Sequence, residues 1–153
     1  MGSKVGLVLW ILAALAAGWI GSRFMPGDWY ASLAKPSWNP PNTIFGPVWT
    51  VLYILMGVSA WLVWRQTGFS GAKGPLTLFI IQLALNALWS YLFFGAHQPM
   101  LAFIEIVALA AVILITMLFF WTIRPLAGVL LIPYLAWVLF ASALNFQLWQ
   151  LNR

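Results

Sequence analysis

Apolar residues fill this chain in long stretches with hardly a charge between them. Residues 5–22, 36–64, 74–104 and 125–152 carry none, and 99–122 is broken only by Glu105. A helix needs about 20 apolar residues to cross the hydrocarbon core of a bilayer, and prolines and turn residues set the boundaries inside the longer stretches. The pattern predicts an all-α membrane bundle, a single transmembrane domain over 1–153. Its helices are five: 5–24, 44–65, 76–96, 99–122 and 126–149, with a loop over 25–43 after the first. Pro47 falls in a first helical turn, where the missing N–H has no helical partner to lose. Pro75 and Pro125 sit just before helices, and Pro99 opens one. Pro133 lies inside the fifth helix and predicts a kink near 129–133, its freed carbonyls met by neighbouring helices or water.

The first loop is the chain's most unusual segment. Lys35-Pro36-Ser37-Trp38-Asn39-Pro40-Pro41 holds three prolines in seven residues. Each lacks an N–H and drives the residue before it out of the α region, so a rigid aromatic loop is expected. Asp28-Trp29-Tyr30-Ala31-Ser32-Leu33-Ala34-Lys35 before it can form two turns of surface helix, with Asp28 as N-cap and Pro36 as terminator. Together they predict a structured lid over the mouth of the bundle.

Composition narrows the class. Charged residues are 6% of the chain, against about 25% in a soluble domain, so no water-exposed surface can be assembled from it. The partner is the lipid bilayer, and the location an integral multi-pass position in a membrane. The net charge of +5 comes from basic residues that flank apolar spans and read as headgroup anchors, so no nucleic-acid partner is implied. Five spans put Lys4, Arg65, Lys73 and Arg124 on one side and Arg23, Lys35 and Arg153 on the other. Four against three does not fix the orientation. Lys4 with the apolar run to Ala14-Leu15-Ala16 has the look of a cleavable signal, but the run is long enough to span. Within it, Ala14 with Gly18 and Ala17 with Gly21 form small-xxx-small pairs suited to close helix packing. The chain has no cysteine, which excludes disulfides and thiolate chemistry.

Eleven tryptophans are distributed unevenly. Trp10, Trp64, Trp121 and Trp149 fall toward helix ends, as a headgroup belt would. Trp49, Trp89 and Trp137 share helix faces with groups able to line one cavity. Asn86, Trp89, Ser90 and Phe93 fall at i, i+3, i+4 and i+7, a single stripe. Trp137, Ala141, Leu144 and Asn145 repeat that spacing, and Trp49 and Tyr53 are one turn apart. Such walls suit a planar, mostly hydrophobic ligand. The same amides and hydroxyls also suit interhelical glue, and periodicity alone does not separate the two readings. Glu105 stands about 9 Å into its helix at about 1.5 Å per residue, and an acid inside a span is a candidate proton site. His97, the only histidine, falls in the turn before Pro99. No metal cluster, Ser-His-Asp set or phosphate-binding glycine loop is visible; Gly68, Gly71 and Gly74 predict a flexible connection.

These motifs in order resemble one family. Trp29-Tyr30, Lys35-Pro36-Ser37-Trp38-Asn39-Pro40-Pro41, Pro47-Val48-Trp49-Thr50-Val51-Leu52-Tyr53, Asn86-Ala87-Leu88-Trp89-Ser90 with Phe93-Phe94-Gly95, and Pro133-Tyr134-Leu135-Ala136-Trp137 with Leu144-Asn145 are similar to the TspO/translocator protein family. Its members are also called tryptophan-rich sensory proteins or peripheral-type benzodiazepine receptors. The resemblance covers nearly the whole chain and points to a bacterial member, in the cell membrane or outer membrane. It implies a five-helix bundle, commonly a homodimer, whose first loop caps a pocket for porphyrins such as protoporphyrin IX and, in some members, sterols and benzodiazepine-type drugs. Carried over by motif, that pocket comprises Tyr30, Trp38, Pro40, Trp49, Tyr53, Asn86, Trp89, Ser90, Phe93, Trp137 and Ala141. Some bacterial members degrade protoporphyrin in light and oxygen, for which the matched tryptophans are Trp49 and Trp137. No cofactor is required, the tetrapyrrole being the ligand. The mammalian sterol pattern fails here, because Phe146 stands where Tyr is wanted and Arg153 lies too far on. A membrane receptor, sensor or carrier is the leading expectation; the alternative is a small proton-coupled exporter of hydrophobic compounds using Glu105.

Overall fold

The computed structural model describes residues 2–24 and 26–153; Met25, the first residue of the expected lid, lies outside the described residues. Helix α1 spans Ser3–Gly21, and a short α2 spans Asp28–Ser32. A 3-10 turn, Asn42–Ile44, leads into α3, Phe45–Gly71. Helix α4, Lys73–Ser90, runs on into a π turn, Tyr91–Gly95, followed by α5, Pro99–Ile123, and α6, Pro125–Leu151. All but α2 are long and apolar enough to cross a membrane, five spans in total. The protein is an integral multi-pass membrane protein.

Connections are tighter than the glycines suggest. Gly68 adopts φ +68°, a left-handed conformation that costs glycine nothing, and this bends α3 near its end. Only Ala72 then separates α3 from α4, and it is buried. The expected flexible linker is therefore helix on both sides of a packed turn, and Pro75 falls within the first turn of α4. Pro99 opens α5 as expected, and Pro125, expected just before its helix, is the first residue of α6. Helix α6 is continuous with Pro133 inside it.

Side-by-side packing joins α1 to α3, α3 to α6, α6 to α5, α5 to α4 and α4 back to α1. The five form a ring in which α1 is wedged between α3 and α4. The small residues of α1 make that wedge fit: a Cβ at Gly18 would run into the Tyr53 ring, and one at Gly6 into Trp64. Conversely, Gly57 of α3 lets the backbone of Ile11 approach, where a Cβ would sit 2.8 Å from its nitrogen. Away from the lid the ring is filled by Met56, Ala60, Val63, Leu76, Phe79, Ile113 and Phe120, all buried. Trp10 belongs to this filling rather than to a headgroup belt, because it lies mid-helix with its ring edge-on to Phe79 at 5.8 Å. Outward faces carry Val5, Val8, Leu12, Ile104, Val107 and Leu118, the apolar surface a bilayer solvates.

Candidate functional site

At the lid end the ring is not filled, and a cavity of about 490 Å3 remains. That is within the roughly 300–1,000 Å3 usual for small-molecule sites. Helix α3 contributes Trp49, Thr50 and Tyr53; α4 and its π turn contribute Trp89, Ser90, Phe93 and Phe94; α6 contributes Trp137, Phe140, Ala141, Leu144, Asn145 and Leu148. Helix α1 supplies Leu15, Gly18, Trp19, Gly21 and Ser22, and Tyr30 of α2 closes the top. No described residue of α5 lines it.

The aromatic walls are held in fixed orientations. Trp49 stacks on Tyr53 at 5.6 Å and meets Tyr134 edge-on at 6.2 Å. Trp89 stacks on Phe93 at 5.4 Å and donates its indole N–H to Asn145 Oδ1 at 2.9 Å. Asn145 in turn donates to the Pro99 carbonyl at 2.8 Å, tying α4, α5 and α6 together behind the wall. Trp137 packs against Phe140 at 5.3 Å and Phe45 at 6.3 Å. Among the described residues neither Trp49 nor Trp137 spends its indole N–H on a protein acceptor, so both can donate to a ligand.

Behind Tyr53 runs a buried polar chain. Tyr53 donates its hydroxyl to Asn86 Oδ1. Asn86 Nδ2 donates to the Tyr134 hydroxyl at 2.9 Å, and Tyr134 donates to Gln82 Oε1 at 2.6 Å. Every hydroxyl and both ends of the Asn86 amide are used, as burial in an apolar bundle demands.

The lid is built on Tyr30. Its ring is buried against Phe93 at 6.2 Å and Phe94 at 5.5 Å, two consecutive residues that the wide π turn turns toward the same neighbour. Gly95 closes that turn, since a Cβ there would sit 2.8 Å from Phe24. The Tyr30 hydroxyl donates to Asn39 Oδ1 at 3.1 Å, and Lys35 Nζ lies 4.8 Å from the ring centre. Burial pushes the Tyr30 phenol above the ordinary tyrosine range, with the Asn39 contact acting in the opposite sense. Trp29 lies flat on His97 at 4.4 Å, and His97 holds a left-handed φ of 55°. The surface helix is shorter than the sequence predicts, with Gly27 in place of Asp28 as its cap and Leu33 already extended.

Of the residues expected at the site, Tyr30, Trp49, Tyr53, Trp89, Ser90, Phe93, Trp137 and Ala141 line the cavity. Trp38, Pro40 and Asn86 do not. Trp38 is 44% exposed and rests edge-on against Phe140 at 5.7 Å, so it supports the wall from outside. The Pro40 carbonyl accepts from Asn39, bracing the residue that holds Tyr30. Asn86 is glue, spent on two tyrosines. Glu105 is buried away from the cavity, with neither carboxylate oxygen hydrogen-bonded among the described residues. The α1 residues were missed because their spacing reads equally as a packing motif; Gly18 and Gly21 serve both ends, leaving room for Tyr53 and Ser90. No group of three or more His, Asp or Glu side chains among the described residues could hold a metal ion.

The TspO/MBR family model matches residues 10–150. The chain belongs to that family. It is 44% identical to the tryptophan-rich protein TspO of Archaeoglobus fulgidus, over 95% of this chain and 96% of that one. Human translocator protein is 42% identical, over 92% of this chain and 86% of its own length. The tryptophan-rich sensory protein of Cereibacter sphaeroides is 38% identical, over 95% and 91%.

Proposed function

We propose that this family member is a membrane receptor, sensor or carrier for flat hydrophobic ligands, with protoporphyrin IX or a related tetrapyrrole bound in the cavity beneath Tyr30. One observation carries the reading: a cavity of about 490 Å3 whose walls include the indoles of Trp49, Trp89 and Trp137, each packed against a neighbouring ring, with Trp89 also held by a hydrogen bond. Flat aromatic walls maximise contact with a planar macrocycle, and little rotamer freedom remains to be lost on binding. The names of the relatives, translocator protein and sensory protein, fit a role in binding or moving a small molecule. The reading includes a homodimer in the bilayer, which the mass of the detergent-solubilised protein checks.

Light-dependent porphyrin breakdown extends the same reading. Trp49 and Trp137 border the cavity, so an indole there can donate one electron to a light-excited porphyrin, becoming a radical, with dioxygen as the oxidant. Protoporphyrin titrated into the protein in detergent should quench tryptophan fluorescence saturably. Trp49→Phe with Trp137→Phe should keep saturable binding, read from porphyrin absorbance, and stop loss of that absorbance under light; an unchanged rate refutes the radical role.

A second reading rests on Glu105, whose buried carboxyl, without a hydrogen-bond partner among the described residues, is costly to keep inside a membrane. In this reading it carries protons for export. Glu105→Gln should then abolish substrate movement in proteoliposomes across a pH gradient, whereas the receptor reading expects binding to be unaltered.

A further inference from the structure

The lid is tied to the bundle at a point outside the cavity. Asn152, the residue capping the end of α6, faces the peptide of Ala34. Its Nδ2 donates to the Ala34 carbonyl at 2.8 Å, and its Oδ1 accepts from the Ala34 N–H at 2.8 Å. Nδ2 also donates to the carbonyl of Leu148, a cavity-lining residue, at 2.8 Å. Ala34 has no helix to satisfy it: Leu33 is extended at φ −72° and ψ 144°, and Pro36 keeps Lys35 out of the helical region. The carboxamide therefore meets this peptide as a paired strand would, one donor and one acceptor side by side. No other uncharged side chain of that length offers both.

The aromatic anchors lie to either side along the chain. Trp29 and Tyr30 hold the lid to Phe93 and Phe94 of the π turn of α4, and Trp38 rests on Phe140 of α6. Between them the Leu33 side chain packs on the core, and among the described residues Asn152 alone hydrogen-bonds the Leu33 to Lys35 backbone to the bundle.

We infer that Asn152 is a latch, a positioning residue that holds the lid shut and sets how fast a ligand passes the lid end of the cavity. The inference rests on the cavity being a ligand site. Both bonds are exposed, so water competes for them and the latch can open readily. Two neutral hydrogen bonds of ordinary net strength correspond to about a tenfold change in the open-to-closed ratio.

The absence of cysteine permits a direct test. With protoporphyrin IX as probe, stopped-flow quenching should show uptake and release about tenfold faster in Asn152→Ala, with Asn152→Asp also faster because it lacks the donor to the Ala34 carbonyl. An Ala34→Cys, Asn152→Cys double variant bridged by a short bis-methanethiosulfonate linker should exchange more slowly than the wild type. Reduction of the bridge should restore fast exchange, which a damaged fold would not do. Hydrogen–deuterium exchange of the lid, read without any ligand, should rise at Ala34 in Asn152→Ala. Unaltered exchange of porphyrin in the bridged variant, or unaltered deuterium uptake in Asn152→Ala, overturns the latch. A wild type that never binds porphyrin overturns the ligand reading instead, and the deuterium measurement then judges the latch alone.

Discussion

Tyr53 and Asn86 are joined by a buried hydrogen bond between α3 and α4, helices that are consecutive in the chain but kept apart by α1 over most of their length. The bond turns Asn86 away from the cavity and fixes the tyrosine on which Trp49 stacks. Asn86→Leu would strand the Tyr53 hydroxyl and remove the donor to Tyr134. We expect a stability loss of about 1–3 kcal/mol, the usual cost of orphaned buried groups. Thermal unfolding in detergent checks it, and an unchanged midpoint would mean the amide is not structural.

Glu105 predicts the opposite sign. Both its oxygens are buried without a partner among the described residues, so removing the acid removes a cost. Glu105→Leu should raise the thermal midpoint, and Glu105→Gln should leave ligand affinity within about twofold, since no α5 residue borders the cavity. A lower midpoint in Glu105→Leu would point to a polar partner for the carboxyl.

Tyr30 gives the lid a pH dependence at one end of the scale only. Its phenol titrates above the ordinary tyrosine value of about 10 because burial favours the neutral form. Its contribution to closure is therefore complete below about pH 10 and lost as pH rises through the higher value reached in the closed lid. Deuterium uptake in residues 28–39, corrected for intrinsic exchange rate, should be flat from about pH 6 to 9 and increase beyond; Tyr30→Phe should abolish the increase.

The helices were legible because each is an uncharged run of spanning length, and the same stripes gave most of the cavity. What escaped has physical causes. Gly68 reads as part of a flexible connection, yet with Gly68 at φ +68° and Ala72 the only non-helical residues the chain turns tightly, so α3 ends later and α4 begins earlier than predicted. The π turn that presents Phe93 and Phe94 together leaves no mark on a 3.6-residue periodicity. Asn86 shares a stripe with Trp89, but a spacing does not say which member bonds sideways to Tyr53 and Tyr134. Asn152 had no signal at all, because its partner is the backbone of Ala34 across the length of the chain.

The central claim is that the space beneath Tyr30 is a ligand site. Ala141 lies on its α6 wall beside Trp137, and an indole there would occupy much of the cavity. Protoporphyrin titration of the wild type and Ala141→Trp, both with intact helical circular dichroism, measures the claim directly. Saturable quenching in the wild type that is lost in Ala141→Trp is the predicted result; equal affinity in the two proteins, or no saturable binding in either, would contradict it.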